Sequence, residues 1–168
     1  MSDDTWDPIQ FELLRNAVIS IADEMALTIV RTTYSGVLRD NMDFSTAFCD
    51  PEGNLVAQGL TLPGHLGSIP TALAAVVERF GHAMKPDDLF CLNDPYQGGM
   101  HLPDIFIFKP IFHNGKRIAF AATKWSWNFG SIAVSIFSIL LTVDSMSSRE
   151  EILHRAILAP VPAAFPAD

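Results

Sequence analysis

Cysteine and clustered basic charge are both scarce in this sequence. The only two cysteines in 168 residues are Cys49 and Cys91, which lack the density and spacing of a disulfide framework or a zinc knuckle. Eleven basic residues face nineteen acidic ones, giving a net charge of -8, and no basic cluster is present to neutralise a row of phosphates. We therefore expect a protein of the reducing cytoplasm that does not bind nucleic acid.

Long hydrophobic runs are missing as well. The first twenty residues carry three aspartates instead of the basic and then apolar segments of a secretory signal. The longest apolar stretch, residues 132–143, is interrupted by two serines and a threonine and is shorter than the roughly 20 residues that span a bilayer. Neither a secretory signal nor a membrane span is expected.

Apolar periodicity predicts two helices. Asp7-Pro8 is typical of a helix start, with Asp as cap and Pro at the first helical position. Apolar residues then recur every three or four positions until just before Ser35, which indicates a long amphipathic helix. Ser68 is the expected cap of a second helix that ends at Gly81.

Short apolar runs bounded by Pro, Gly and Asn predict a sheet. The dipeptide Asn114-Gly115 favours a type I′ hairpin between the last two of these strands. The fold class we expect is α+β, with both helices packed on a mixed, partly antiparallel sheet. The strand candidates are Phe44–Cys49, Leu55–Gln58, 89–92, 105–112 and 117–123.

The loop of residues 93–104 carries the densest chemistry in the chain. Asp94, His101 and Asp104 lie there among two prolines and two glycines, and an imidazole with carboxylates suits Mn²⁺, Fe²⁺ or Zn²⁺. The alternative is structural, with the carboxylates capping turns and the histidine bonded to a carbonyl. His65, in a second Gly-rich loop, is either a base or ligand at the same cleft or a packed histidine.

Several motifs in register resemble the hydantoinase B/oxoprolinase family over roughly residues 7–124. Because they recur in the family's order, together they are far more specific than any one of them. The motifs are Asp7-Pro8-Ile9, Ile21-Ala22-Asp23-Glu24-Met25, Arg31-Thr32-Thr33-Tyr34-Ser35, Asp43-Phe44-Ser45, Gly64-His65-Leu66-Gly67-Ser68, Asn93-Asp94-Pro95-Tyr96 and His101-Leu102-Pro103-Asp104.

The resemblance implies a B-type subunit that works with a hydantoinase A-type subunit. That partner binds ATP and activates the substrate, whereas this chain binds no ATP itself. Relatives open 5-oxoproline or hydantoin rings, and others form the metal-bearing subunit of acetone or acetophenone carboxylases. By resemblance to the latter, His101 and Asp104 are expected as ligands of a divalent metal (Mn, Zn or Fe), and Asp94 is expected either as a further ligand or as a carboxylate that supports the ligands. His65 is a catalytic candidate because its loop could bring it to the same cleft.

The resemblance weakens after Lys124. Carboxylase-like relatives have a metal-binding histidine in the next segment, at about Ser126 by our register, but no histidine lies between His113 and His154. We divide the chain into residues 1–124, the N-terminal part of the family domain, and a divergent tail, 125–168, with a short helix expected at 147–150. Two explanations of this break compete: a short paralogue that lost catalysis and only docks on its partner, and a truncated or frameshifted gene. The abrupt loss of the family pattern within a strand favours the second. In either case the isolated chain is expected to show no turnover.

Overall fold

A computed structural model of the chain describes residues 7–126, and the helix expected at 147–150 lies outside them. The predicted strands Phe44–Cys49 and Leu55–Gln58 are confirmed to the residue, whereas the last two strands extend further than predicted. In chain order the elements are α1 (Pro8–Thr32), α2 (Gly36–Asp40), β1 (Phe44–Cys49), β2 (Leu55–Gln58), α3 (Ser68–Phe80), β3 (Phe90–Leu92), β4 (Asp104–His113) and β5 (Lys116–Ser126), with 3-10 turns at Pro63–His65 and Pro95–Gln97.

The long helix α1 begins where the sequence predicts. The side chain of Asp7 accepts a hydrogen bond of 3.1 Å from the backbone N–H of Ile9, with Pro8 in the first turn. Ser68 differs from its prediction, because it is the first helical residue of α3 and its hydroxyl donates to the carbonyl of His65 at 2.6 Å. Within residues 7–126, no helix is both long and apolar enough to cross a membrane.

The five strands form one sheet in the order β2-β1-β5-β4-β3. Every strand pairing within residues 7–126 is antiparallel, so the α+β class is confirmed, while the described sheet is antiparallel rather than mixed. Short hairpins explain this, because β1–β2 and β4–β5 each join through a turn of a few residues and parallel neighbours would need long crossovers. Asn114 and Gly115 have φ values of 49° and 75°, as the predicted type I′ turn requires.

Helices cover both faces of the sheet. Side chains alternate along a strand, so neighbours such as Lys124 and Trp125 in β5 project to opposite faces. The α1 face packs Val18, Ile21, Met25 and Ile29 of α1 against strand residues that include Phe44 and Trp125. The α3 face packs Ile69, Leu73 and Val76 against Phe106, Phe108 and Phe120. Each such side chain contributes about 1.5–3 kcal/mol through burial.

Candidate functional site: a buried polar cluster at one end of the sheet

The α3 face becomes polar at one end of the sheet. Asp104, the first residue of β4, pairs across the strands with Ser126, the last residue of β5. Lys124 lies two positions before Ser126, so both share the face of Asp104. The side chains of Asp104 and Lys124 are 1% and 0% exposed, which places an ion pair inside the protein.

The carboxylate of Asp104 is fully occupied. Its Oδ1 lies 2.9 Å from Nζ of Lys124 and accepts a 2.9 Å hydrogen bond from the hydroxyl of Ser126. Its Oδ2 accepts hydrogen bonds of 2.9 Å from the backbone N–H groups of Met100 and His101. Burial alone would raise the pKa of Asp104, but Lys124, Ser126 and the His101 N–H outweigh it and lower that pKa.

His101 lies at the rim of this cluster. Its Nδ1 is 3.4 Å from Oδ1 of Asp104, and 55% of its side chain is exposed. The loop that carries it is tied to β4 by the side-chain amide of Asn93, which donates to the carbonyls of Leu102 and Asp104. The buried carboxylate therefore faces one side of the imidazole while the ring remains open to solvent.

His65 ends the 3-10 turn before α3 and faces His101. The two ring centroids are 6.3 Å apart in an edge-to-face arrangement. The Nε2 of His65 is 3.9 Å from Oδ1 of Asp43, and its buried Nδ1 has no hydrogen-bond partner among residues 7–126. Burial, followed by the nearby charge of Lys124, lowers the pKa of His65 and favours the neutral imidazole.

Asp94 has a different setting. Its side chain accepts a hydrogen bond of 2.9 Å from the backbone N–H of Tyr96 and caps the 3-10 turn Pro95–Gln97. With residues of α3 and the edge strand β3, it lines a groove of about 720 Å³ whose lining includes none of His65, His101, Asp104 and Lys124. This capping role matches the structural alternative for Asp94, and its role as a metal ligand stays a prediction.

The cluster as it stands does not fit a divalent ion. In the described part of the chain, no group of three or more His, Cys, Asp or Glu is arranged to hold a metal. A carboxylate offers about four acceptor positions, and those of Asp104 are taken by two side chains and two backbone N–H groups. The metal assignment to His101, Asp104 and Asp94 stays a prediction.

Sequence reasoning missed Lys124 as a member of the cluster and treated it only as the point where the resemblance weakens. A signal was available, because a single lysine after the apolar run 118–123 implies a buried charge that needs a partner. The partner could not be identified, because Asp104 is twenty residues away and is brought close only by the β4–β5 register.

Sequence comparison finds relatives that are much longer than this chain. The 5-oxoprolinase of Dictyostelium discoideum is 36% identical over 118 residues, which are 70% of this chain and 9% of that protein. The caprolactamase subunit beta of Pseudomonas jessenii is 33% identical over 120 residues, or 71% of this chain and 21% of that subunit. The chain therefore spans less than a quarter of the length of either relative.

Solved structures share the fold. The crystal structure of ATP-dependent caprolactamase from Pseudomonas jessenii matches with a TM-score of 0.67 and 32% identity, covering 73% of this chain and 21% of that one. A nucleotide-free acetone carboxylase matches with a TM-score of 0.65 over 71% of this chain and 16% of that one. Its 20% identity shows a common fold alone.

A match to a sequence profile shows the family of this chain. The sequence profile described as Hydantoinase B/oxoprolinase matches residues 7–131, which covers the whole sheet, both long helices and the polar cluster. The chain belongs to the hydantoinase B/oxoprolinase family.

Proposed function

We propose that this chain supplies the N-terminal part of the B-type subunit of an ATP-dependent cyclic-amide hydrolase. Support comes from the family match and from relatives named as 5-oxoprolinase and as a subunit of an ATP-dependent caprolactamase. In this proposal an A-type subunit binds ATP, the substrate is a lactam such as 5-oxoproline or hydantoin, and the complex works in the cytoplasm.

The observation that carries the proposal is the pairing of His101 with the buried carboxylate of Asp104. The two groups are 3.4 Å apart, and the negative charge of the carboxylate favours the tautomer with the ring proton on that side, without a hydrogen bond between them. The other nitrogen of the exposed ring is then free to take a proton. Ring opening by water needs such a group, because water is a weak nucleophile until a base accepts its proton.

His65 has a supporting role in this scheme. Its ring is almost buried and lies edge-on to His101. Burial and the charge of Lys124 lower its pKa, which disfavours a further positive charge beside the base. Its Nδ1 is buried and has no hydrogen-bond partner in the described residues, so His65 is not assigned a direct contact with the substrate. In this proposal His65 positions the ring of His101, and His101 exchanges protons with the attacking water.

The test is ATP consumption by the complex. The full chain is co-produced with an A-type subunit from the same genome, and ADP release is measured with 5-oxoproline, hydantoin or caprolactam. We expect ADP release that depends on a cyclic amide, and a fall of about 10²- to 10⁴-fold in His101→Ala, the usual contribution of a general base. His82→Ala is the matched control, because His82 is also exposed but lies outside the cluster.

The other outcomes separate the alternatives. ATP consumption that requires bicarbonate and a ketone would show a carboxylase like the acetone-carboxylating relatives, and would contradict the cyclic-amide assignment. A stable complex with the A-type subunit but without turnover would identify an inactive docking module. Equal activity in His101→Ala and the control would refute the assigned role of His101.

A further inference from the structure

The charge balance of the buried cluster leads to an inference about its cation. Asp104 is 1% exposed, and a carboxylate this deeply buried stays ionised only beside a positive charge or strong donors. In metal-bearing relatives, as the resemblance implies, that charge comes from an ion. Here Nζ of Lys124, a side chain with no exposed surface, lies 2.9 Å from the carboxylate.

Lys124 and a divalent ion would compete for the same oxygen. Oδ1 of Asp104 is contacted by Lys124 and Ser126 and lies 3.4 Å from Nδ1 of the His101 ring, so it is the atom that an ion shared with that ring would use. Lys124 cannot retreat into solvent, because it lies in β5 between β1 and β4, opposite Ser45 and Phe106. A divalent ion bound to Oδ1 would therefore lie close to the ammonium group of Lys124, and two positive charges in a dry interior repel each other strongly.

Ser126 points to the same conclusion. It faces Asp104 directly across the strands and donates a hydrogen bond to it. By our register, relatives that bind a metal have a histidine near this position. A serine hydroxyl is a poor ligand for Mn²⁺, Zn²⁺ or Fe²⁺ compared with imidazole. At the carboxylate of Asp104, the chain therefore has a lysine ammonium group where an ion would bind, and a serine where a third metal ligand would be needed.

We propose that the ammonium group of Lys124 takes the place of the divalent metal in this chain, and that metal binding requires two changes together. Lys124 must lose its charge so that Asp104 becomes free, and Ser126 must become histidine so that a third ligand is present. Neither change alone creates a site. This inference concerns only charge and ligands, and it stands whether or not the proposed function is correct.

The experiment titrates Co²⁺ into the purified full chain and records the visible absorption of the bound ion and the thermal midpoint. Three proteins are compared: the natural chain, Ser126→His, and the double variant Lys124→Met with Ser126→His. We expect no stoichiometric binding in the first two. The double variant should bind one Co²⁺ per chain, with a higher thermal midpoint, and should lose the ion when His101→Ala is added.

Two results would overturn the proposal. One Co²⁺ bound per natural chain, and lost in His101→Ala, would show that Lys124 does not exclude the metal. A folded double variant that binds no ion would show that Lys124 does not occupy a metal position. If the double variant does not fold, nitrogen-15 NMR of the natural chain decides, with Lys124→Arg identifying the signal. The slowly exchanging ammonium signal of Lys124 must survive excess Zn²⁺, and its loss would refute the proposal.

Discussion

Two neighbouring residues of β5, Trp125 and Lys124, show how differently the two faces of the sheet are built. Both side chains are completely buried. Trp125 belongs to an apolar cluster packed against α1, while Lys124 neutralises Asp104 on the α3 face. The α1 face depends on packing, so loss of volume should damage it most. The polar end of the α3 face depends on charge balance, so loss of one partner should damage it more than loss of both.

The largest expected effect is on the apolar face. Trp125→Ala removes the largest fully buried side chain and should lower the free energy of unfolding by about 3–5 kcal/mol, through lost burial and a cavity. Urea unfolding of the full chain measures this. Tyr34→Ala is the control, because Tyr34 is 92% exposed and its loss should be almost neutral. Equal effects in the two variants would contradict the packing of Trp125 against α1.

The ion pair should respond differently. Lys124→Met leaves Asp104 charged and buried and should cost about 3 kcal/mol, because removing one partner of a buried pair is strongly destabilising. The double variant Asp104→Asn with Lys124→Met removes both charges and should come within about 1 kcal/mol of the natural chain. Urea unfolding midpoints give both values. A double variant that loses as much stability as Lys124→Met, or more, would show that the two residues do not act as a pair.

A smaller effect is expected where the loop after β2 touches α1. A Cβ on Gly59 would lie 2.6 Å from the carbonyl oxygen of Ala22 and against the hydroxyl of Thr46, which itself donates to that carbonyl. Gly59→Ala should cost about 1–2 kcal/mol by overpacking. Gly67→Ala is the control, because a Cβ there meets nothing within 4 Å. If Gly59→Ala left the free energy of unfolding unchanged, the loop and α1 would not be tightly packed at this contact.

The smallest expected effect is a difference in the alkylation rates of the two cysteines. On the α3 face, Cys49 is fully buried in β1, and burial raises its pKa to about 12, whereas Cys91 in the edge strand β3 is exposed. Iodoacetamide should therefore alkylate Cys91 first and reach Cys49 only after unfolding. Mass spectrometry of peptides from the natural chain and from Cys91→Ser measures both rates. Comparable rates would mean that this face opens readily in the native state.

Local patterns were enough to predict most of the fold. Some elements depend only on residues close together in sequence, so the sequence predicts their positions. They are the cap at Asp7, the hairpin at Asn114-Gly115 and the strands β1 and β2. The mixed sheet was the wrong part of that prediction, because strand direction depends on which strands pair. The order β2-β1-β5-β4-β3 places β5 in the centre, and no short motif encodes that placement.

The site divides in the same way. By itself, the sequence determined the family, the helices and the loop that carries Asp94, His101 and Asp104, because motif order and periodicity are properties of the chain alone. Only the tertiary structure decided that Asp104 meets Lys124 and Ser126, and that His65 faces His101. The physical reason is register, because cross-strand pairing brings distant residues within 3 Å and a buried carboxylate must find its compensating charge among them.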